Sequence, residues 1–237
     1  MMMKRELFKV MRHYQDKLPE QGLKTGIDVT ISVPRGEEIA LRTFNPKLGI
    51  TGGISIIGTS GIVKPFSSEA FIASIRREME VAKALGCRNV VVNSGAKSER
   101  FVKQQYPNLP PQAFIHYGNF IGKTIIAASE LGFEHLTMGI MIGKAVKLAE
   151  GSLDTHSKKV VMNKEFISAL AKEAGCSETT MATIQQITMA RQLWDVIPKT
   201  EATFFSLIVR KCHQVCIPLF PNGTLDILLI DEFGNIK

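Results

Sequence analysis

The 237 residues are 45% hydrophobic and 22% charged, a balance that suits a folded chain with a sizeable core and excludes a disordered or fibrous one. No apolar run reaches the length of a membrane span, and the charged start MMMKRELFKVMRHYQDK lacks the apolar centre of a signal peptide, so a cytoplasmic protein with no membrane partner is expected. The net charge of +7 is scattered rather than gathered into runs, and three Tyr and one Trp offer few stacking platforms. That argues against nucleic acid and leaves solvated surface charge or a basic cleft for a small polyanion.

In chain order, residues 2–18 read as a helix with Leu7, Val10, Met11 and Tyr14 on one side, broken by Pro19, Gly22 and Gly26. Residues 27–33 alternate, with Ile27, Val29, Ile31 and Val33 on one face, which predicts a half-buried strand. The glycine-rich stretch 44–63 encloses a short apolar strand, Ile54, Ser55, Ile56 and Ile57, that leaves through Gly58, Thr59, Ser60 and Gly61. A helix begins at Ser67 or Ser68 and ends at Gly86. Strands are then expected at residues 88–92, 113–117 and 133–142, with helices near 97–105, from Asn119, and over 143–149. Connections this short between alternating elements imply crossovers, hence a parallel sheet with helices on both faces.

After Gly151 helices dominate, over 164–174, 177–195 and 199 to about 217, followed by an apolar strand at 225–230. The fold class expected is therefore α/β, a Rossmann-like parallel sheet plus a smaller α+β lobe. Residues 44–150 form the sheet domain in this reading. Residues 1–43 and 151–237, with the strands 27–33 and 225–230, form the lobe.

Ligands of open parallel sheets bind beyond the carboxyl ends of the strands. Three such exits are rich in glycine and polar groups: Gly58, Thr59, Ser60 and Gly61; Asn93, Ser94 and Gly95; and Gly118 with Asn119. Each alone reads equally as a structural turn. A second candidate couples Lys144 and Lys147, three apart on one helix face, to the polar run Asp154, Thr155, His156 and Ser157. The lysines suit carboxylates or plain solvent; a loop histidine can move a proton near neutral pH or sit idly at the surface. Cys87, Cys176, Cys212 and Cys216 give no zinc spacing. Cys212 and Cys216 around His213 allow a two-ligand metal clip, or simply buried thiols, and no protein-bound metal is expected.

The stretch TFNPKLGITGGISIIGTSGIVKP, with GNFIG from Gly118 and IGKAVKLAEGSLDTHS from Ile142 in the same order, resembles the CbiD family, the cobalt-precorrin-5B (C(1))-methyltransferases of anaerobic cobalamin biosynthesis. The resemblance implies methylation of C-1 of cobalt-precorrin-5B to give cobalt-precorrin-6A, with S-adenosylmethionine as co-substrate. It implies that Gly58, Thr59, Ser60, Gly61, Asn93, Ser94, Gly118 and Asn119 face the donor and Lys144 and Lys147 the tetrapyrrole. His156, with Asp154, Thr155 and Ser157, then carries the proton chemistry, and any cobalt belongs to the substrate. It also implies a further leading domain as a separately encoded partner; a non-catalytic remnant or subunit that binds a nucleoside or tetrapyrrole is the alternative. The chain departs from the family pattern at Met141 (usually His), Asp154 (usually Asn) and the run Val160, Val161, Met162 and Asn163 (usually Ala-Asp-x-Arg).

Overall fold

The structure is a computed structural model that describes residues 2–14, 28–43, 45–55, 67–156 and 162–236. It divides into two compact units, Met1–Ser67 and Ser68–Lys237.

In the first unit, α1 spans Met2–His13 and α2 spans Gly36–Ala40, with a 3-10 turn over Asn45–Leu48. Arg35 enters α2 from the left-handed region, φ 58°, and grips Glu38 through two contacts of 2.5 and 2.6 Å. Residues 28–33, expected as a strand, form none, and Val29 and Ile31 are 49% and 51% exposed. Alternation becomes a strand only where a second backbone supplies the ladder, and no described residue pairs with this segment. Ile54 and Ser55 are likewise irregular. Ile27, Ile56, Ile57 and the glycine turn Gly58 to Gly61 lie outside the described residues.

The second unit opens with α3, Ser68–Ala84, whose Ile75, Met79 and Ala82 recur at helical spacing on its buried side. There follow β1 (Asn89–Asn93), α4 (Ala96–Gln105), β2 (Phe114–His116), α5 (Ile121–Glu130), β3 (His135–Met141) and α6 (Ile142–Ala149). Then come α7 (Lys164–Glu173), α8 (Glu178–Gln186), α9 (Leu193–Val196), α10 (Thr203–Cys216) and β4 (Thr224–Ile230). The four strands make one parallel sheet in the order β2-β1-β3-β4. This is the α/β architecture expected, with helices on both faces.

Side chains alternate across the strands to build the two layers. Val90, Val92, Ile115, Leu136, Met138 and Ile140 join the main core beneath α3, α5, α6 and α10. Val91, Phe114 and Ile230 point the other way, onto Phe101 and Val102 of α4. Each such aliphatic group contributes about 1.5–3 kcal/mol on burial. Gly139 lets α4 approach β3: a Cβ there would stand 2.4 Å from Val102 Cγ1.

The strand at 225–230 is the main correction. It does not lie in a separate lobe but pairs along its whole length with β3, from His135 opposite Thr224 to Met141 opposite Ile230. Its nearly continuous apolar run is what a strand covered on both faces requires. The Asn222-Gly223 turn delivers the chain to the ladder, where Thr224 N–H donates to Glu134 O at 2.9 Å. The helix expected over 177–195 also breaks: Ile187 is extended, and the Gln192 side-chain oxygen accepts from the N–H of Thr188 and Met189 at 2.8 and 2.9 Å, restarting the helix.

After β1 the chain moves outward to β2, then crosses back past β1 to β3. α4 leaves β1 for one face and α6 leaves β3 for the other. Their diverging exits place the switch point, where open α/β sheets take ligands in a crevice, at the carboxyl ends of β1 and β3.

Candidate functional site

Asn93 closes β1 fully buried. Its side chain serves the loop itself: Oδ1 accepts from Gly95 N–H at 3.1 Å, and Nδ2 donates to Ile115 O at 3.4 Å. Ser94 is held by Ser98, whose Oγ lies 3.1 Å from Ser94 N and 3.0 Å from Ser94 Oγ. Gly95 adopts φ 153°, a conformation that side chains disfavour, and among the described residues, its chain neighbours aside, no atom lies within 4 Å of where its Cβ would be. The β1 exit is thus a braced turn with open space above it.

β2 leaves through Tyr117, Gly118 and Asn119. Tyr117 is completely buried, donates from Oη to Gly139 O at 3.2 Å, and is pushed to a high pKa by that burial. Gly118 has φ 58° and lies against Phe71, whose Cε1 would stand 2.8 Å from a Cβ. Lys144, in the first turn of α6, donates to Gly118 O and, at 2.7 Å, to Asn119 Oδ1, with its ammonium 5.6 Å from the Tyr117 ring centre. Burial lowers its pKa to about 8, with Lys147 acting in the same direction and Asp154 against it.

The second candidate cluster meets the first here. Thr155 N–H donates to Asn119 O at 3.0 Å, and Asp154 forms an antiparallel bridge with Phe120. Gly122 N–H donates to Leu153 O at 3.1 Å, and Lys147 reaches Thr155 O at 3.5 Å. Asp154 Oδ1 accepts from His156 N–H at 3.3 Å. Thr155 is 2% exposed, and its Oγ1 has no hydrogen-bond partner among the described residues. Asn119 is therefore the junction of the β2 exit, the α6 lysine and the loop from Asp154 to His156. Gly58, Thr59, Ser60, Gly61 and Ser157 lie outside the described residues.

Some features had no clear signal in the sequence. Tyr117 stood only as the end of a strand, although an aromatic residue before Gly118 and Asn119 could have marked a wall for Lys144. His116 turns toward α4, where it pairs with Glu99, which also accepts from Lys103 at 2.5 Å. Asn163, where the family pattern has a charged run, caps α7: its Oδ1 accepts from Phe166 N–H at 3.1 Å and its Nδ2 meets Glu150 at 2.5 Å. Cys212 and Cys216 are buried, Cys212 Sγ donates to Ala145 O at 3.2 Å, and burial pushes the Cys216 thiol up to about 12. Among the described residues no cluster could hold a metal ion, and no helix is long and apolar enough to cross a membrane.

The CbiD family model matches residues 1–65, and the model for the CbiD C-terminal domain matches residues 154–237. The chain is 41% identical over 215 residues to the cobalt-precorrin-5B C(1)-methyltransferase of Prosthecochloris aestuarii, covering 90% of this chain and 58% of that protein. It is 45% identical over 201 residues to the protein of the same name from Geobacillus kaustophilus, covering 84% and 54%. With that of Brucella anthropi it shares 37% identity over 222 residues, covering 92% and 59%. The chain thus spans a little over half the length of these relatives. No solved structure matches it. Two models of one family match opposite ends of this sequence, and identity to that family's members runs through most of it, so the chain belongs to the CbiD family.

Proposed function

We propose that this chain takes part in S-adenosylmethionine-dependent methylation of C-1 of cobalt-precorrin-5B, giving cobalt-precorrin-6A in cobalamin biosynthesis. The observation that carries the reading is the Asn119 junction at the switch crevice, in a chain 41% identical to a protein named for this reaction. The residues present fit a small donor bearing hydroxyl and carboxylate groups: the Gly95 turn leaves open space, and Thr155 Oγ1 is buried with unused bonding capacity. The donor supplies a methyl group on a positively charged sulfur, which departs as a neutral thioether.

The residues divide the remaining work. Ser94, Gly118 and Asn119 line the donor's place, and Asn93 holds the β1 turn in shape. Lys144 ties α6 to the β2 exit through Gly118 O and Asn119 Oδ1, and Lys147 steadies the loop through Thr155 O. Asp154 fixes the backbone of His156, whose imidazole manages a proton on the macrocycle. No covalent nucleophile is required, since positioning and exclusion of water carry most of a methyl transfer. The test is calorimetry of the chain with S-adenosylmethionine and S-adenosylhomocysteine. One-to-one binding of both is expected, weakened by Gly95→Val; no heat with either compound overturns the reading.

A further inference from the structure

A cavity of about 700 Å3 opens beside the carboxyl end of β4 and shares no lining residue with the Asn119 junction. That size lies within the roughly 300–1,000 Å3 of small-molecule sites. One wall is aromatic: Trp194 of α9 stacks on buried Phe205 of α10, ring centres 4.1 Å apart and planes within 18°. Arg191 and Lys199 line the cavity, both exposed, and neither makes an ion pair with any described residue. Two of its acids are already engaged. Asp231 accepts from the N–H of Phe233 and Asn235 at 2.8 Å each and from Asn235 Nδ2 at 2.7 Å, and Glu232 pairs with Lys97. The turn that Asp231 organises holds Phe233 out at the cavity, 87% exposed. Asp195 is the remaining acid.

Aromatic surface flanked by two uncommitted cations is complementary to a flat π-system that carries several carboxylates. A neutral nucleoside would satisfy the stack without using Arg191 or Lys199. The lysine of the switch crevice is less well suited to the same anion, since its ammonium is already bonded to Gly118 O and Asn119 Oδ1. We infer that the cavity bounded by Trp194, Phe205 and Phe233 binds a planar polycarboxylate, with Arg191 and Lys199 on its carboxylates. Under the function proposed above, on which this identification rests, that ligand is the tetrapyrrole, and the substrate is anchored here rather than by Lys144 and Lys147.

The test uses uroporphyrin, a stable planar octacarboxylate, titrated into the full chain and followed by its own visible absorbance. Porphyrins quench tryptophan from a distance, so location is read from variants. Arg191→Ala/Lys199→Ala should weaken binding at least tenfold, Phe233→Ser several-fold, and Lys144→Ala/Lys147→Ala less than twofold. Arg191→Lys/Lys199→Arg, which keeps both charges, should bind within threefold of the wild-type chain. Both sites of change are exposed, and matched circular dichroism and melting temperatures verify folding. Absence of binding overturns the inference, as does binding that falls with the Lys144 and Lys147 variants but not with Arg191 and Lys199. The methyl-donor calorimetry keeps the two readings separate. Porphyrin held by Arg191 and Lys199 in a chain that binds no S-adenosylmethionine would sink the methyltransferase and leave the cavity assigned.

Discussion

The Lys144 ammonium donates to the Asn119 side-chain oxygen at 2.7 Å, which ties the first turn of α6 to the exit of β2. The same lysine also caps Gly118 O, so it acts as a strut across the switch crevice before any ligand arrives.

Burial of that strut makes stability depend on pH. Lys144 has a pKa of about 8 in the folded chain against 10.5 for an ordinary lysine. Between these values the unfolded chain binds more protons, so stability rises with pH; the contribution is complete above the unfolded value and lost as pH falls through the folded one. Urea unfolding of the wild-type chain and Lys144→Met, compared from about pH 7.5 to about pH 10, should show the wild type gaining relative to the variant. A constant difference would mean that the ammonium is hydrated like a surface lysine.

Thr155 Oγ1 offers a second measurement. A buried hydroxyl without a partner costs stability, so Thr155→Val should be neutral or stabilising by up to about 2 kcal/mol. If the hydroxyl is reserved for the donor, affinity for S-adenosylmethionine should drop about three- to tenfold, the size of one hydrogen bond. Melting and calorimetry on the same preparation decide it. A less stable variant with unchanged affinities would assign the hydroxyl to the fold.

His156→Gln keeps size and hydrogen bonding but cannot carry a proton through its pKa. In an assay that supplies whatever further segment turnover needs, methyl transfer should slow at least about tenfold, while donor affinity changes little. Wild-type turnover by the variant would make His156 a structural loop residue.

Gly139 sits where α4 presses on β3. Gly139→Ala should cost about 1–3 kcal/mol by overpacking, because the added carbon meets Val102 Cγ1. Val102→Ala in the same chain should recover part of that loss, read as a non-additive urea midpoint. Additive costs would place the strain elsewhere.

Much of this fold was legible. The runs around Val90 to Val92 and Leu136 to Ile140, bounded by glycine and separated by helical spacing, give strands, helices and a parallel sheet. β4 was misassigned because Leu225 to Ile230 shows only that a strand is buried; its partner, β3, is far away in sequence. Residues 28–33 show the converse, a periodicity that no partner uses. Within the candidate site, Lys144 and the Asp154 loop stood out by residue type. Their junction did not, because the bond from Thr155 N–H to Asn119 O is made by main chain, which leaves no mark on side-chain identity. Charge was legible at Lys144, whereas the carbonyls that occupy it were not. Trp194 and Phe205 became a wall only once α9 and α10 were packed together.

The placement of β4 has a consequence for biogenesis. Its ladder with β3 spans the whole excursion 142–223, the kind of distant pairing that slows folding. At about 5–20 residues per second, the ribosome leaves the outer edge of β3 open for roughly 5–18 s before Ile230 is made. During that interval the nascent sheet has a bare apolar margin, able to recruit any other extended chain. Yield in a cell should therefore track chaperone supply during synthesis more closely than it tracks the melting temperature of the finished molecule.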